Sequence, residues 1–441
     1  MKNRLGRRLA ASSIFGGLEV ILEKIYTTLL FVIVVRALPR EEIGIISVAQ
    51  SWVLVILLLN FLPFRSLIRD HAKFKDRLAE NISAYIYFWF FQAVVLILIA
   101  GGGVAVLAQL RGERLLGLVI LAMAMQMQFQ SFQWLSKVAF FIHYRQSYVT
   151  GMTMVLGAIN LAAALVFLQR PSLWGYVLLM LGLNALAAGV WLFQLVRRLG
   201  VPLLPPKDAI AIIQHGLFSY GIWHHFQSVL FDVILLIDPL VLWFFAPYQD
   251  IGDYGIAQRI NSLLLILPGV LANNLELGTA ASGSNGAEKT MTQKFLLASA
   301  GLGISQFLFL LIGGKLLLKI LFDVNPNGPV YSYMIIMGIG VMILNFARPL
   351  MGRLNAKAYL GLITRDVFLP ACIAAISAYA LLASQWGPLG TAYGNIFAYG
   401  FLAFLLVRAT LRYTPFQPDL HANEPDPSKE DLLIKLPDLR E

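Results

Sequence analysis

Gln126, Gln130, Gln133 and Lys137 recur at i, i+4, i+7 and i+11, which is the spacing of a single helix face. Amides on such a face can hydrogen-bond hydroxyls. A lysine at its end can hold an anionic head group such as a pyrophosphate. At an offset of 211, Arg348 corresponds to Lys137, and nearby Arg353 belongs to the same candidate substrate set. Glu19 and Glu23 are four apart and share a face with Tyr26 and Thr27, so Glu23 is a further candidate lining residue. A third group, His225, Asp232 and Asp238-Pro239, could couple to ions. His225 and Asp232 are seven apart on one face, and a carboxylate near an imidazole in a low-dielectric cavity can carry a proton. Asp238-Pro239 predicts a helix break whose freed carbonyls could hold a cation.

Each of these readings has a plainer rival. Glutamines also hold helices together across a bundle. Glu23 can pair with Lys24 or an arginine, and Asp238 can sit at a mere kink. Tyr85–Phe91 could stack on sugars but fits an interfacial aromatic belt better. Gly101-Gly102-Gly103 lacks the context of a phosphate loop and suits close helix packing or a kink. The sequence contains no metal-ligand spacing, no catalytic triad and no nucleotide-binding loop, so no cofactor is expected.

The elements that must position these residues are apolar segments long enough to cross a bilayer, at about 20 residues each. They fall near 14–36, 45–64, 82–109, 115–136, 148–169, 173–196, 216–245, 254–278, 294–313, 330–350, 366–384 and 389–411. The 441 residues are 58% hydrophobic and only 13% charged, about half the charge of a soluble domain. A net charge of +10 could suggest nucleic acid, but the charges sit in loops between spans, so none is expected as a partner. The basic start followed by an apolar run mimics a signal peptide. The run lacks a clear cleavage site and carries Glu19, Glu23 and Lys24, so a retained first span is expected. Cys372 is the only cysteine, which excludes an internal disulfide.

One short sequence occurs twice. Pro39-Arg40-Glu41-Glu42-Ile43-Gly44 through Ala49-Gln50 matches Pro247-Tyr248-Gln249-Asp250-Ile251-Gly252 through Ala257-Gln258 at an offset of 208. Six spans per half is an even number, so the repeat is parallel. The expected organisation is a six-helix lobe over 1–200, a Pro-rich linker over 201–207, a second lobe over 208–412 and a mobile polar tail over 413–441. The fold class that follows is an all-α polytopic membrane protein of about 12 transmembrane helices in two lobes around a central cavity. Most of the 34 lysines and arginines fall on the side of the amino terminus, which places both termini in the cytoplasm.

Arg36-Ala37-Leu38-Pro39-Arg40-Glu41-Glu42-Ile43-Gly44 resembles the turn after the first helix of polysaccharide flippases. These are the O-antigen and exopolysaccharide translocases of the multidrug/oligosaccharidyl-lipid/polysaccharide (MOP) exporter superfamily. Arg65-Ser66-Leu67-Ile68-Arg69 supports the likeness, as do Asp238-Pro239-Leu240-Val241-Leu242 and Ile251-Gly252-Asp253-Tyr254-Gly255-Ile256-Ala257. Two departures stand out: the glycine before Pro39 is absent, and Pro239 stands where relatives have arginine. The resemblance implies export of a polyprenyl-pyrophosphate-linked oligosaccharide by alternating access in the bacterial cytoplasmic membrane. A proton or sodium gradient would drive the return, and other polysaccharide-assembly proteins would be partners. A multidrug antiporter of the same superfamily is the main rival. A membrane-embedded glycosyltransferase or polymerase would be expected to have larger outer loops and an acid cluster, so an enzyme is not expected.

Overall fold

The computed structural model describes residues 2–61, 67, 77–143, 145–281, 285–357 and 360–414. Arg65, Arg69, Lys73, Tyr359 and the tail from 415 onward lie outside these. The described residues are almost entirely helical, as lipid requires, because only a helix or a closed barrel satisfies its own backbone there.

In the first half, α1 is Lys2–Ala37, α2 Arg40–Leu57, α3 Leu78–Arg111, α4 Arg114–Ile142, α5 Gln146–Phe167 and α6 Leu173–Leu199. In the second half, α7 is assembled from Ala209–Gly216, a π-helical turn over Leu217–Gly221 and Ile222–Leu236; the short helix Asp238–Leu242 follows. Helix α8 comprises Tyr248–Leu264 and Ile266–Ala281, α9 is Asn285–Phe322 and α10 is Pro329–Lys357. The last helical stretch breaks at Gly387, where φ is 56°, giving α11 (360–386) and α12 (388–413). Among the described residues, eight helices meet the length and apolarity of a membrane span, the last being long enough to cross twice. The whole is a twelve-helix, two-lobed bundle.

Within the first lobe, α1 packs on α5, α3 on α4 and α4 on α6; in the second, α10 packs on α8, α9 and the α11–α12 stretch. Gly200 (φ 62°) ends α6 in the left-handed conformation, where glycine carries no Cβ penalty. The linker then lies against the start of α3, with Ser83 donating to Leu204 O at 3.0 Å and Arg77 paired with Asp208 at 2.9 Å. That guanidinium holds the Asp208 carboxyl below its usual range. The side of the bundle where the linker lies, and where α1 begins and α12 ends, is here the linker end.

The lobes meet along α2 and α8, which Pro39 and Pro247 directly precede. A Cβ on Gly44 would lie 1.9 Å from the Tyr248 carbonyl oxygen, and one on Gly252 would lie 2.0 Å from that of Arg40. Both contacts follow from the duplicated motif, since 44 and 252, like 40 and 248, differ by 208. Small residues let backbones approach this closely where no hydrophobic drive separates helix from lipid. Further contacts close the end away from the linker. Arg36 donates to Leu321 O at 2.8 Å, Arg40 pairs with Asp253 at 3.4 Å, and Trp243 donates to Glu113 at 3.2 Å. Tyr248 donates to the same carboxylate, and Arg111 stacks 4.4 Å over the Trp243 ring.

Candidate functional site

Helix α4 carries the glutamine stripe into its own lobe. Gln130, Gln133, Trp134 and Lys137 line a cavity of about 210 Å³ with Glu23 and Thr27 of α1, Thr153 and Asn160 of α5 and Asn184 of α6. Gln133 donates to Asn184 Oδ1 at 3.1 Å. Gln126, one turn before Gln130, is partly exposed and does not line this space. The expected cavity was shared between lobes; this one is walled by α1, α4, α5 and α6 alone.

Lys137 is not a free cation. Its Nζ lies 2.6 Å from Glu19 Oε1 and 2.7 Å from Glu23 Oε2, and Thr153 donates to Glu19 Oε1 at 3.3 Å. Only 8% of the lysine side chain and 3% of that of Glu19 are exposed, so the pairing is the compensation that buried charges require. Two carboxylates and one ammonium leave a formal charge of −1. The placement of Lys137 as a head-group cation at a central mouth is therefore corrected. It is a clamp inside one lobe, joining α1 to α4.

The second lobe repeats the arrangement with a different outcome. Asp232 of α7 stands 209 residues after Glu23, and Arg348 of α10 stands 211 after Lys137. Each lobe thus sets a carboxylate on its first helix against a cation on its fourth. Arg348 is stacked on the Phe231 ring at 3.9 Å. Its Nε and Nη1 have no hydrogen-bond partner among the described residues, although the residue is partly exposed. Asp232 lies within electrostatic reach of both Arg348 and Lys24 of α1. Lys24 is exposed and is the functional candidate that the sequence reading missed. Neighbouring helix residues point about 100° apart. When Glu23 turns into its own lobe, Lys24 therefore leaves that face, and its charge acts on Asp232 of the second lobe.

Arg353 does not join Arg348. It is 1% exposed, with its guanidinium bonded to Glu288 at 2.8 Å and to Thr414 at 3.1 Å. The Glu288 carboxylate also receives Lys357, so Arg353 ties α9 and α10 to the end of α12. Five residues on a helix turn through about 500°, enough to send Arg348 and Arg353 to different faces.

His225 Nε2 donates to Leu58 O, just past the end of α2, at 3.2 Å, and the ring packs 4.7 Å from the Phe61 ring. It bridges the lobes, and no hydrogen bond or ion pair joins it to Asp232 among the described residues. Asp238 is fully buried and receives Tyr254 and Gln258. Pro239 does break the helix and removes the N–H that would serve Leu235 O. The exposed carbonyls are nonetheless taken by side chains. Tyr379 donates to Ile234 O at 3.0 Å, Gln258 to Leu235 O at 3.3 Å, and Ser51 of the first lobe to Leu236 O at 2.7 Å. The expected cation seat of free carbonyls is thus a hydrogen-bonded joint.

The chain matches no protein-family model, and no curated protein matches its sequence. Solved structures do match. An inward-facing multidrug resistance MATE family transporter of the MOP superfamily superposes with a TM-score of 0.69 at 11% identity, covering 89% of this chain and 95% of the other. The lipid II flippase MurJ in an inward closed conformation gives 0.68 at 12% identity, covering 91% and 87%. An outward-facing MATE transporter gives 0.61 at 11% identity, covering 93% and 96%. These neighbours are transporters and a flippase rather than enzymes. At such identities the likeness establishes architecture, and the chain has the two-lobed fold common to MATE transporters and MurJ.

Proposed function

We propose that this chain is a flippase for a polyprenyl-pyrophosphate-linked oligosaccharide, working by alternating access in the bacterial cytoplasmic membrane with the linker end in the cytoplasm. The observation that carries the reading is Arg348. A guanidinium without hydrogen-bond acceptors on two of its nitrogens among the described residues, in a membrane bundle, is costly and suits a transient anionic ligand. Lys24, on the other lobe, adds a second cation within reach of Asp232, so an anionic head group can be met from both sides. Carboxylates along the path, with Asp232 foremost, suit coupling to a proton or sodium gradient, and polysaccharide-assembly proteins are the natural partners.

A second reading rests on the cavity of the first lobe. Lys137 and Glu23 on its wall, with Glu19 buried behind them, give the cluster net negative charge, which favours a cationic drug over a pyrophosphate. A deletion strain distinguishes the two. The flippase reading expects loss of surface polysaccharide, with lipid-linked units left on the inner leaflet. Arg348→Gln and Lys24→Gln should fail to restore export at near-normal abundance, and Arg348→Lys should do better. Each lost charge-assisted contact costs roughly 1.5–3 kcal/mol, about ten- to a hundredfold in affinity. Normal polysaccharide with raised drug sensitivity would transfer the assignment to the antiporter.

A further inference from the structure

Arg365 at the start of α11 and Arg408 and Arg412 at the end of α12 converge on one pocket, together with Asp366, Pro370, Leu405 and Tyr413. Its volume is about 410 Å³, and it opens on the outer wall of the second lobe at the linker end. Asp366 is engaged from two sides. Arg365 Nε donates to Oδ1 at 2.6 Å and Nη2 to Oδ2 at 3.2 Å, while Tyr413 donates to Oδ2. One carboxylate against three guanidiniums leaves a formal charge of +2. Arg408 and Arg412 are exposed, and neither makes an ion pair shorter than 4 Å among the described residues.

The wall beside the pocket says what the charge is for. Along α11, Leu369, Ile373 and Ile376 are 46%, 59% and 39% exposed, and along α12, Phe397 and Phe404 are 53% and 58% exposed. Phe401 lies between the latter two, its ring 6.0 Å from one and 6.4 Å from the other. On α12 these aromatics sit at i, i+4 and i+7, and Arg408 is four residues beyond Phe404, so the apolar stripe runs straight into the arginines. The same two helices therefore offer an apolar surface at membrane depth and a cationic pocket where that surface ends. None of its lining residues belongs to the site around Arg348 described above.

We propose that this pocket binds the phosphate of an anionic diacyl phospholipid in the leaflet at the linker end, with its acyl chains along the α11–α12 face. Basic pockets between helices at that level suit such head groups. A free phosphate would satisfy the arginines equally but would have no use for the apolar stripe.

The test is native mass spectrometry of the full chain, released from nanodiscs of phosphatidylcholine and phosphatidylglycerol in equal parts. The expected result is retention of phosphatidylglycerol over phosphatidylcholine, weakened about fivefold for each arginine lost in Arg408→Gln and Arg412→Gln. The lysine pair Arg408→Lys/Arg412→Lys should retain it. Asp366→Asn should strengthen it by removing the competing charge. A melting temperature for every variant separates loss of binding from loss of fold. If one variant unfolds, the comparison of the two lipids on the wild type and on the lysine pair still decides. Equal retention of the two lipids, or undiminished retention in a folded double glutamine variant, would overturn the proposal. So would displacement of the lipid by millimolar inorganic phosphate, which would make free phosphate the natural ligand.

Discussion

Lys137 shows how far residue type and spacing reach. The sequence placed it at the end of a polar face and matched it to position 348 of the repeat. It could not show that Glu19 and Glu23 would take its charge, because that depends on which way α1 turns when it packs on α5. A lone polar face on a membrane helix points equally well to a neighbour or to a central path. The consequence for mutation is specific. Removing one partner from a buried pair costs about 3–5 kcal/mol, so Lys137→Gln should lower the melting temperature and the abundance in detergent. Adding Glu19→Gln to that variant should recover part of the loss, since it removes a carboxylate left without its cation. Arg348→Gln breaks no ion pair shorter than 4 Å among the described residues and should melt close to wild type. A Lys137→Gln protein as stable as wild type would mean that the clamp contributes nothing.

At the scale of elements, each apolar segment of the sequence falls on a helix of the bundle, because about 20 apolar residues in a row have few other uses. The duplicated motif was legible as a repeat, but its purpose was not. Glycine in a sequence says that a Cβ is missing, not what stands in its place. The structure shows the backbone of the opposite lobe, and the approach is equivalent in the two directions. Gly44→Ala and Gly252→Ala should each push α2 and α8 apart at the end away from the linker, since the obstacle is a carbonyl rather than a side chain that can swing away. The expected outcome is a longer distance between spin labels placed on the two lobes at that end, for example at Arg114 and Asn327. Cys372 is buried, so added labels would be distinguishable from the native thiol. Unchanged distances in both alanine variants would show that α2 and α8 can shift at no cost to closure. The joint at Asp238-Pro239 was half legible. Proline announced the break, but Tyr379, Gln258 and Ser51 are separated from it by up to 187 residues in sequence, and no local pattern could reveal them.

For the whole molecule, an even number of spans in each half makes a firm demand on topology. Reporter fusions at Pro205 should read cytoplasmic, and fusions at Gly112 and Gly387 should read on the far side. Both of those glycines are turns with positive φ. Any two of the three disagreeing with this pattern would break the parallel repeat. The reciprocal contact of α2 and α8 then bears on descent. Gly44 rests on residue 248 and Gly252 on residue 40. Contact of i with j and of j with i is the mark of an isologous interface between identical subunits. The seam between the lobes therefore has the form of a dimer interface joined into one chain, as two copies of a six-helix ancestor would leave it. A true homodimer must use the same residue on both sides of its axis. Fusion lifts that obligation, and the two halves have used the freedom: where one copy locks its cation between two glutamates at 137, the other leaves its arginine at 348 open.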